Sequence, residues 1–175
     1  MKKILVFGAS SSKSSINKQL AIYASTLFKN VDVEILDLND YEMPIYSIDL
    51  EKSNGIPNLA HNFYSKIGES DLIIISFAEH NGAYTSAFKN IFDWISRING
   101  KTFQEKSVLL LATSPGTRGG SSVLEIANNR FPHQGAVVKG SFSLPNFNEN
   151  FDVDKGITNQ DLKNNLLNII NAIEF

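Results

Sequence analysis

The chain has 175 residues, of which 42% are hydrophobic and 19% charged, and its formal net charge is -2. These values are typical of one globular domain spanning residues 1–175, and they exclude a general electrostatic attraction to nucleic acid or to an anionic membrane. The chain contains no cysteine, which excludes disulfides, thiolate metal sites and a cysteine nucleophile. That absence agrees with a reducing compartment, and we expect a cytoplasmic protein with no membrane span.

Apolar, β-branched runs alternate with amphipathic stretches along the chain. Two runs, Leu72–Ile75 and Val108–Leu111, are apolar throughout, which is typical of parallel strands covered on both faces. The longest irregular stretch, Asn39–Pro57, is predicted to be a surface loop. The pattern predicts, in chain order, a strand at Lys3–Gly8, a helix at Ser15–Phe28, a strand at Val31–Leu38, a helix at Pro57–Gly68, a strand at Leu72–Phe77, a helix at Tyr84–Ile98, a strand at Val108–Thr113, a helix at Ser121–Arg130, a strand at Ala136–Ser143 and a helix at Asn159–Ile173.

Five strands that alternate with helices predict an α/β fold with a doubly wound parallel sheet and helices on both faces. Right-handed crossovers place the loops that follow the strands along one edge of such a sheet. Ligands bind at that edge, where the strand order reverses. The loops after the strands are therefore where we expect functional residues.

The segment after the first strand is rich in hydroxyl groups. It reads Gly-Ala-Ser-Ser-Ser-Lys-Ser-Ser-Ile-Asn over Gly8–Asn17 and leads directly into a helix. Hydroxyl donors, one lysine and the unpaired N–H groups of a helix N-terminus favour a phosphate dianion. A flexible linker is the alternative, but a linker is unusual between a buried strand and an amphipathic helix. The segment predicts a phosphate site.

Two later loops are unusual in the same way. Phe77–Tyr84 contains Glu-His-Asn-Gly, and Thr113–Gly120 reads Thr-Ser-Pro-Gly-Thr-Arg-Gly-Gly. Each alone could be ordinary turn chemistry, since Asn-Gly is a common turn pair. Three such loops at one edge of a sheet favour a shared ligand site.

The absence of three known motifs narrows the range of possible ligands. The first loop lacks the second glycine of G-x-G-x-x-G, the Gly-Lys-Ser/Thr ending of a P-loop, and the last glycine of G-x-S-x-G. His61 and His133 have no metal-site spacing, so we expect no metal. FMN fits what remains, with one phosphate for the first loop and a flat ring for the other two.

The three loops resemble motifs of the NADPH-dependent FMN reductases, which include flavodoxin-like quinone, chromate and azo-dye reductases. The family's G-S-x-R-x-x-S-x-N aligns with Ala9–Asn17, and its P-E-Y-N-x-S-x-P-x-x-L-K-N-x-I-D-W aligns with Ala78–Trp94. The chain departs from the family at the arginine position, which is Ser12 beside Lys13, and at the tyrosine position, which is His80. Lysine cannot replace the two parallel hydrogen bonds of an arginine, so we expect weaker binding of the phosphate than in the family.

The resemblance implies a flavodoxin-like sheet of order 2-1-3-4-5 and hydride transfer from NADPH through FMN to a small-molecule acceptor. FMN carries this chemistry, so no catalytic side chain is expected. Arg118 has the fork geometry to bind the NADPH 2′-phosphate, although an ordinary solvated arginine is the alternative. The expected cofactor-binding residues are Ser10, Ser12, Lys13, Ser15, Ile16, Asn17, Glu79, His80, Asn81, Gly82, Ser114, Gly116, Arg118 and Gly119.

Two other functions are compatible with the same loops: a flavodoxin-type electron carrier, and a non-redox phosphate- or nucleotide-binding module. The first loop lacks the T/S-x-T-G-N-T of flavodoxins, and the chain is not strongly acidic. Apolar residues of the helix Tyr84–Ile98 extend beyond one stripe. The resemblance and this apolar surplus predict a homodimer or a dimer of dimers. The sequence specifies neither the acceptor nor a preference for NADPH over NADH.

Overall fold

The computed structural model describes residues 1–175 as alternating strands and helices. Two 3-10 turns, at Leu38–Tyr41 and Phe131–Gln134, complete the secondary structure. The elements in chain order are β1 Lys2–Ala9, α1 Ile16–Thr26, β2 Val31–Ile35, α2 Ile48–Asn54, α3 Asn58–Glu69, β3 Leu72–Phe77, β4 Glu79–His80, β5 Ala83–Tyr84, α4 Ser86–Ile98, β6 Ser107–Thr113, α5 Ser121–Arg130, β7 Val137–Leu144, α6 Phe147–Asn150, β8 Phe151–Asp152, β9 Gly156–Ile157 and α7 Gln160–Asn171.

Five parallel strands form the central sheet in the order β2-β1-β3-β6-β7. This order confirms the predicted flavodoxin-like topology. The chain goes from β1 to β2 on one side and then returns to β3 on the other, so the direction of winding reverses between β1 and β3. The remaining short strands form two antiparallel hairpins, β4-β5 and β8-β9.

Alternate side chains of each central strand enter two separate cores. In β1, Leu5 and Phe7 join the core that includes α3, α4 and α5, whereas Ile4 and Val6 join the core that includes α1 and α7. Every residue of β3 is buried, as expected of a strand with helices on both faces. The structure therefore confirms the doubly wound arrangement.

The predicted strands and helices recur within a few residues, and the clear exception is the stretch Asn39–Pro57. β2 ends at Ile35 rather than Leu38, because the chain turns into a 3-10 helix that the Asp37 side chain caps. The prediction that Asn39–Pro57 is an irregular loop is wrong, because the stretch contains α2. Ser47 caps α2 by accepting a hydrogen bond from the N–H of Leu50, and Gly55 ends it at a φ of 74°. α2 buries no residue, so an apolar periodicity could not reveal it.

The apolar residues of α4 belong to the core of this chain. The helix packs on the sheet and also contacts α3, Phe131 and the segment before α2. It therefore buries side chains around much of its circumference rather than along one stripe. The inference that α4 carries surplus apolar surface for a partner is therefore wrong. No helix in the structure has the length and apolar character required to cross a bilayer. The buried residues of α4 are Phe88, Ile91, Phe92, Trp94 and Ile95.

Candidate functional site

The loops that follow β1, β3 and β6 meet around one cleft of about 280 Å³. These three strands are neighbours in the sheet, so their carboxyl ends place the loops side by side at the reversal of winding. The cleft is lined by Ser10, Ser12, Ser14, Ser15, Ile16, Asn17, Ala78, Glu79, His80, Thr113, Ser114 and Pro115. All three loops contribute, as the sequence predicts.

The first loop presents unpaired donors at the start of α1. Ser15 caps the helix, with its Oγ accepting a hydrogen bond of 3.1 Å from the N–H of Lys18. The N–H groups of Ile16 and Asn17 donate to no group of the protein, as expected in a first helical turn. Lys13 is exposed, and no carboxylate lies within ion-pair distance of it. This donor set suits a phosphate group.

Two contacts hold the first loop in shape. The Ser10 Oγ accepts a 3.1 Å hydrogen bond from the N–H of Ser12. Lys18, in the first turn of α1, places its Nζ 2.6 Å from Oδ2 of Asp37, which caps the 3-10 helix after β2. The hydrogen bond from the Lys18 ammonium lowers the pKa of the Asp37 carboxyl group, so the Asp37 carboxylate stays ionised at neutral pH. Lys13 of the same loop makes no ion pair.

Asn17 has a buried side chain that links α1 to two strands. Its Oδ1 accepts hydrogen bonds from the Ser76 hydroxyl at 2.7 Å and from the N–H of Thr113 at 3.0 Å. Its Nδ2 donates to the carbonyl of Thr113 at 3.1 Å. The carboxamide thus satisfies groups at the ends of β3 and β6, and it keeps one N–H for another partner. Asn17 joins the first and third loops directly.

The second loop is a tight hairpin. Asn81 and Gly82 both have positive φ, at 52° and 78°, so they form the two-residue turn that Asn-Gly favours. His80 is exposed beside the turn. The Glu79 carboxylate accepts a 3.0 Å hydrogen bond from the N–H of Val123, in the first turn of α5. A negative charge there is favourable, because it satisfies a free amide and complements the helix dipole.

Tyr84 anchors the end of this hairpin in the core. Its ring packs against Phe77 and Phe88, with ring centroids 5.6 and 5.2 Å away. Burial raises the pKa of Tyr84 to about 12, so its hydroxyl group stays neutral. Thr85 follows it as the cap of α4 and donates a 2.9 Å hydrogen bond to the carbonyl of Ala9. The hairpin is therefore tied to the first loop.

The third loop packs closely on the neighbouring strand. A Cβ on Gly119 would lie 2.4 Å from the Ser143 hydroxyl oxygen, and φ at Gly119 is +57°. Both facts require glycine at this position for packing. The Ser114 hydroxyl donates to the carbonyl of Gly116 at 3.3 Å. The exposed Arg118 donates from Nη2 to the Ser122 hydroxyl at 2.6 Å and leaves most of its guanidinium free.

The structure brings together many, but not all, of the predicted site residues. Lys13, Asn81, Gly82, Gly116, Arg118 and Gly119 belong to the same loops but do not line the cleft, whereas Ser10, Ser12, Ser15, Ile16, Asn17, Glu79, His80 and Ser114 do. Sequence reasoning missed four lining residues, and their position inside the three loops is the only signal for them. They are Ser14, Ala78, Thr113 and Pro115.

Comparison with known proteins identifies the family. A model of NADPH-dependent FMN reductases matches residues 2–149. The chain belongs to that family. Reductases of this family bind FMN and use NAD(P)H, and this protein is an FMN-dependent oxidoreductase with a small-molecule acceptor. The match includes all three loops of the cleft.

The chain is also similar to individual proteins over nearly its whole length. The chain is 30% identical over 161 residues to an uncharacterised protein of Mycoplasma pneumoniae, with 89% of this chain and 95% of that protein aligned. It is 24% identical over 179 residues to the NADPH:quinone oxidoreductase of Arabidopsis thaliana, which covers 98% of this chain and 90% of the plant protein. The flavoenzyme FerB, an NAD(P)H:(acceptor) oxidoreductase of Paracoccus denitrificans, has the same fold with a TM-score of 0.78, 24% identity and coverage of 98% and 94%.

Proposed function

We propose that the cleft holds FMN with its phosphate at the first loop and its ring between the second and third loops, and that the acceptor is a quinone. The observation that carries the proposal is the set of free donors at the start of α1, facing a cleft that the other two loops complete. The quinone reductase of Arabidopsis among the relatives supports the acceptor class. Bound FMN would supply the hydride chemistry, by which two electrons and a proton from NAD(P)H would reach the quinone and a proton from the solvent would complete the hydroquinone.

The residues of the first loop would bind the phosphate. The hydroxyl groups of Ser10, Ser12 and Ser15 and the amides of Ile16 and Asn17 are the donors, and Lys13 supplies the positive charge. The side chain of Asn17 would act mainly by holding the loop in place, since most of its hydrogen-bonding groups are satisfied by Ser76 and Thr113.

The second and third loops would hold the ring. His80, which lines the cleft, would contact the flavin, and the turn at Asn81 and Gly82 would present backbone groups to its edge. Glu79 lines the same side of the cleft while it caps α5, and Ser114 closes the opposite side. Backbone N–H groups near Gly82 and Gly116 would stabilise the negative charge of the reduced ring, while Gly119 allows the third loop to lie against β7. The exposed Arg118 is proposed to bind the 2′-phosphate of NADPH.

A comparison of FMN with riboflavin tests the phosphate site. Riboflavin has the same ring but no phosphate, so we expect it to bind at least about 100-fold more weakly than FMN. Lys13→Ala should weaken FMN binding about five- to tenfold and leave riboflavin binding unchanged, as measured by quenching of flavin fluorescence. Lys29→Ala is the matched control, because Lys29 is an exposed lysine beyond the far end of α1. Equal affinities for the two flavins would contradict the proposal.

We further propose that the 175 residues act as one flavin-binding unit in the cytoplasm, as a homodimer or a dimer of dimers. The assembly is what the family resemblance implies, and the absence of cysteine agrees with a reducing compartment. Analytical ultracentrifugation at micromolar concentration should show a dimer or tetramer, and a monomer alone would contradict the assembly. Cell fractionation tests the location.

A further inference from the structure

Asparagine followed by glycine occurs at three places in the chain, which are Asn54-Gly55, Asn81-Gly82 and Asn99-Gly100. Asparagine is chemically labile, and a following glycine favours loss of its side-chain amide, because no Cβ hinders the attack of the glycine nitrogen on the asparagine side chain. The reaction requires a carboxamide and a glycine N–H that are free to approach each other. Hydrogen bonds to either group oppose it, so the structure distinguishes the three pairs.

Hydrogen bonds hold two of the three pairs. The N–H of Gly55 donates to the carbonyl of Glu51 at 2.8 Å and closes the last turn of α2. The carboxamide oxygen of Asn99 accepts a 2.8 Å hydrogen bond from the N–H of Lys101. The attacking nitrogen is therefore engaged in one pair and the attacked side chain in the other. Each bond must break before the reaction can begin.

The pair Asn81-Gly82 is free at both groups. Asn81 is exposed, and the N–H of Gly82 donates to no acceptor in the protein. The side chains that hold this hairpin through hydrogen bonds are those of Glu79 and Thr85, and Asn81 contributes none. Both reacting groups of this pair thus face the solvent without a partner.

The hairpin that carries this pair is small enough to open. Strands β4 and β5 have two residues each, and they pair only with each other, outside the central sheet. A two-stranded hairpin is marginally stable in water, so its turn opens locally. Opening matters because Asn81 has a φ of 52° in the closed turn, and the backbone must rotate before the Gly82 nitrogen reaches the side chain.

We propose that Asn81 is a site of spontaneous deamidation and that FMN bound beside the hairpin protects it. The Gly82 nitrogen bonds to Cγ of Asn81 and the Cγ–Nδ2 bond breaks, so ammonia leaves with the proton of the Gly82 N–H and a cyclic imide remains. Water then opens the imide by adding hydroxide to one of its carbonyl carbons and a proton to its nitrogen, which yields aspartate or isoaspartate. Water is the only co-reactant, and nothing is oxidised or reduced. The protection rests on the proposed function, which places the flavin edge at this turn.

The product adds a negative charge to the loop that would hold the ring. The hairpin already carries the Glu79 carboxylate, and the reduced flavin is itself negatively charged. A second carboxylate would repel the reduced ring. Isoaspartate would also lengthen the backbone of the turn by one carbon atom. Deamidated protein should therefore bind FMN more weakly than fresh protein.

Peptide mass spectrometry of FMN-free protein kept in H₂¹⁸O at mildly alkaline pH tests the site, because each product takes up an oxygen atom from water. We expect Asn81 to deamidate about five- to tenfold faster than Asn54 and Asn99, since neither of its reacting groups has a hydrogen bond to break. In urea, where no fold distinguishes the pairs, the three rates should converge. Equal rates in folded protein, or a slower rate at Asn81, would overturn the proposal.

The FMN-loaded protein under the same conditions tests the protection. Saturating FMN should slow the reaction at Asn81 at least about tenfold and leave the rates at Asn54 and Asn99 unchanged. Asn81→Asp should weaken FMN binding about three- to tenfold, as measured by flavin fluorescence, whereas the matched control Asn99→Asp should not change it.

The outcomes separate the modification from the function. Fast deamidation at Asn81 that FMN does not slow would overturn the protection and the placement of the flavin edge at this turn, and it would support the modification site. Failure of NAD(P)H to bleach the flavin would refute the reductase function instead, and it would alter neither rate measurement.

Discussion

Asn17 joins three elements through one buried carboxamide. The family resemblance assigns this residue to the phosphate, and the structure adds that its side chain bonds to Ser76 and to both backbone groups of Thr113. A single side chain therefore sets the distance between the first and third loops. The sequence could not reveal this, because Asn17 and Thr113 are far apart along the chain and meet only once the sheet has formed.

Replacement of Asn17 should reduce both stability and cofactor binding. Asn17→Ala leaves three buried polar groups without partners, so we expect the free energy of unfolding to fall by about 3 kcal/mol and FMN affinity to fall more than tenfold. Urea unfolding and flavin fluorescence measure the two effects. Ser76→Ala is the control, because it removes only one of the hydrogen bonds that Asn17 makes. It should lower the free energy of unfolding by about 1 kcal/mol. A stable Asn17→Ala protein with weak FMN binding would instead mean that the side chain acts on the cofactor alone.

The residue types in the sequence predicted which groups of the first loop could bind a phosphate, but they did not predict which residues form hydrogen bonds with one another. The run of serines and the first turn of α1 indicated a phosphate site, and the structure places unpaired amides there. Glu79 shows the limit of such reasoning. Its carboxylate accepts a hydrogen bond from an N–H group in the first turn of α5. A local motif cannot predict this contact, because the second loop and α5 are far apart along the chain.

At the scale of elements, Gly8 decides how closely α1 approaches β1. A Cβ at this position would lie 2.5 Å from the backbone nitrogen of Lys18 and 2.8 Å from its Cα. Backbone atoms cannot move aside as a flexible side chain can, so any larger residue displaces the start of α1.

Gly8→Ala should therefore act on the helix and, through it, on the cofactor. We expect a loss of about 1–3 kcal/mol in the free energy of unfolding, as for other overpacked sites, and FMN binding weakened by at least tenfold. Gly100→Ala is the matched control, since nothing lies within 4 Å of its added Cβ. It should leave both quantities unchanged. Unaltered FMN affinity in Gly8→Ala would show that the position of α1 does not set the phosphate site.

A second link between elements is ionic. Glu34 on β2 lies 2.8 Å from the Lys3 ammonium on β1 and 2.5 Å from the Lys66 ammonium on α3. The ammonium groups of these lysines lower the pKa of the Glu34 carboxyl group below its ordinary value of 4.5. The ionised carboxylate thus stabilises the folded state above that value, and the contribution is lost as the pH falls through the lower folded pKa.

Stability should consequently depend less on pH in Glu34→Gln. We expect this variant to have a lower urea midpoint than the natural chain at pH 7 and a smaller decrease between pH 5 and about pH 3. Asp32→Asn, an exposed acid on the same strand with no ion pair, serves as the comparison and should retain the natural decrease. Parallel pH curves for Glu34→Gln and the natural chain would rule out this role.

At the scale of the whole molecule, the α/β fold was predictable because apolar strands, two of them with a continuous apolar run, alternate with amphipathic helices. The edge that carries the loops follows from this alternation and from right-handed crossovers, whereas the strand order was predicted from the family resemblance. α2 was not predictable in this way, because none of its residues is fully buried and only Leu50 packs against the core. The hairpin β8-β9, which has strands of two residues, is likewise too short for a periodic signal.

The central claim is that this molecule passes electrons from NAD(P)H to FMN held in the cleft between its three loops. Anaerobic stopped-flow spectroscopy of the FMN-loaded protein tests it most directly, with NADPH and NADH mixed separately and the oxidised flavin absorbance followed. We expect bleaching on a catalytic time scale with at least one of them, and recovery of the absorbance when 1,4-naphthoquinone is added. An FMN-loaded protein that neither NADPH nor NADH bleaches would contradict the claim.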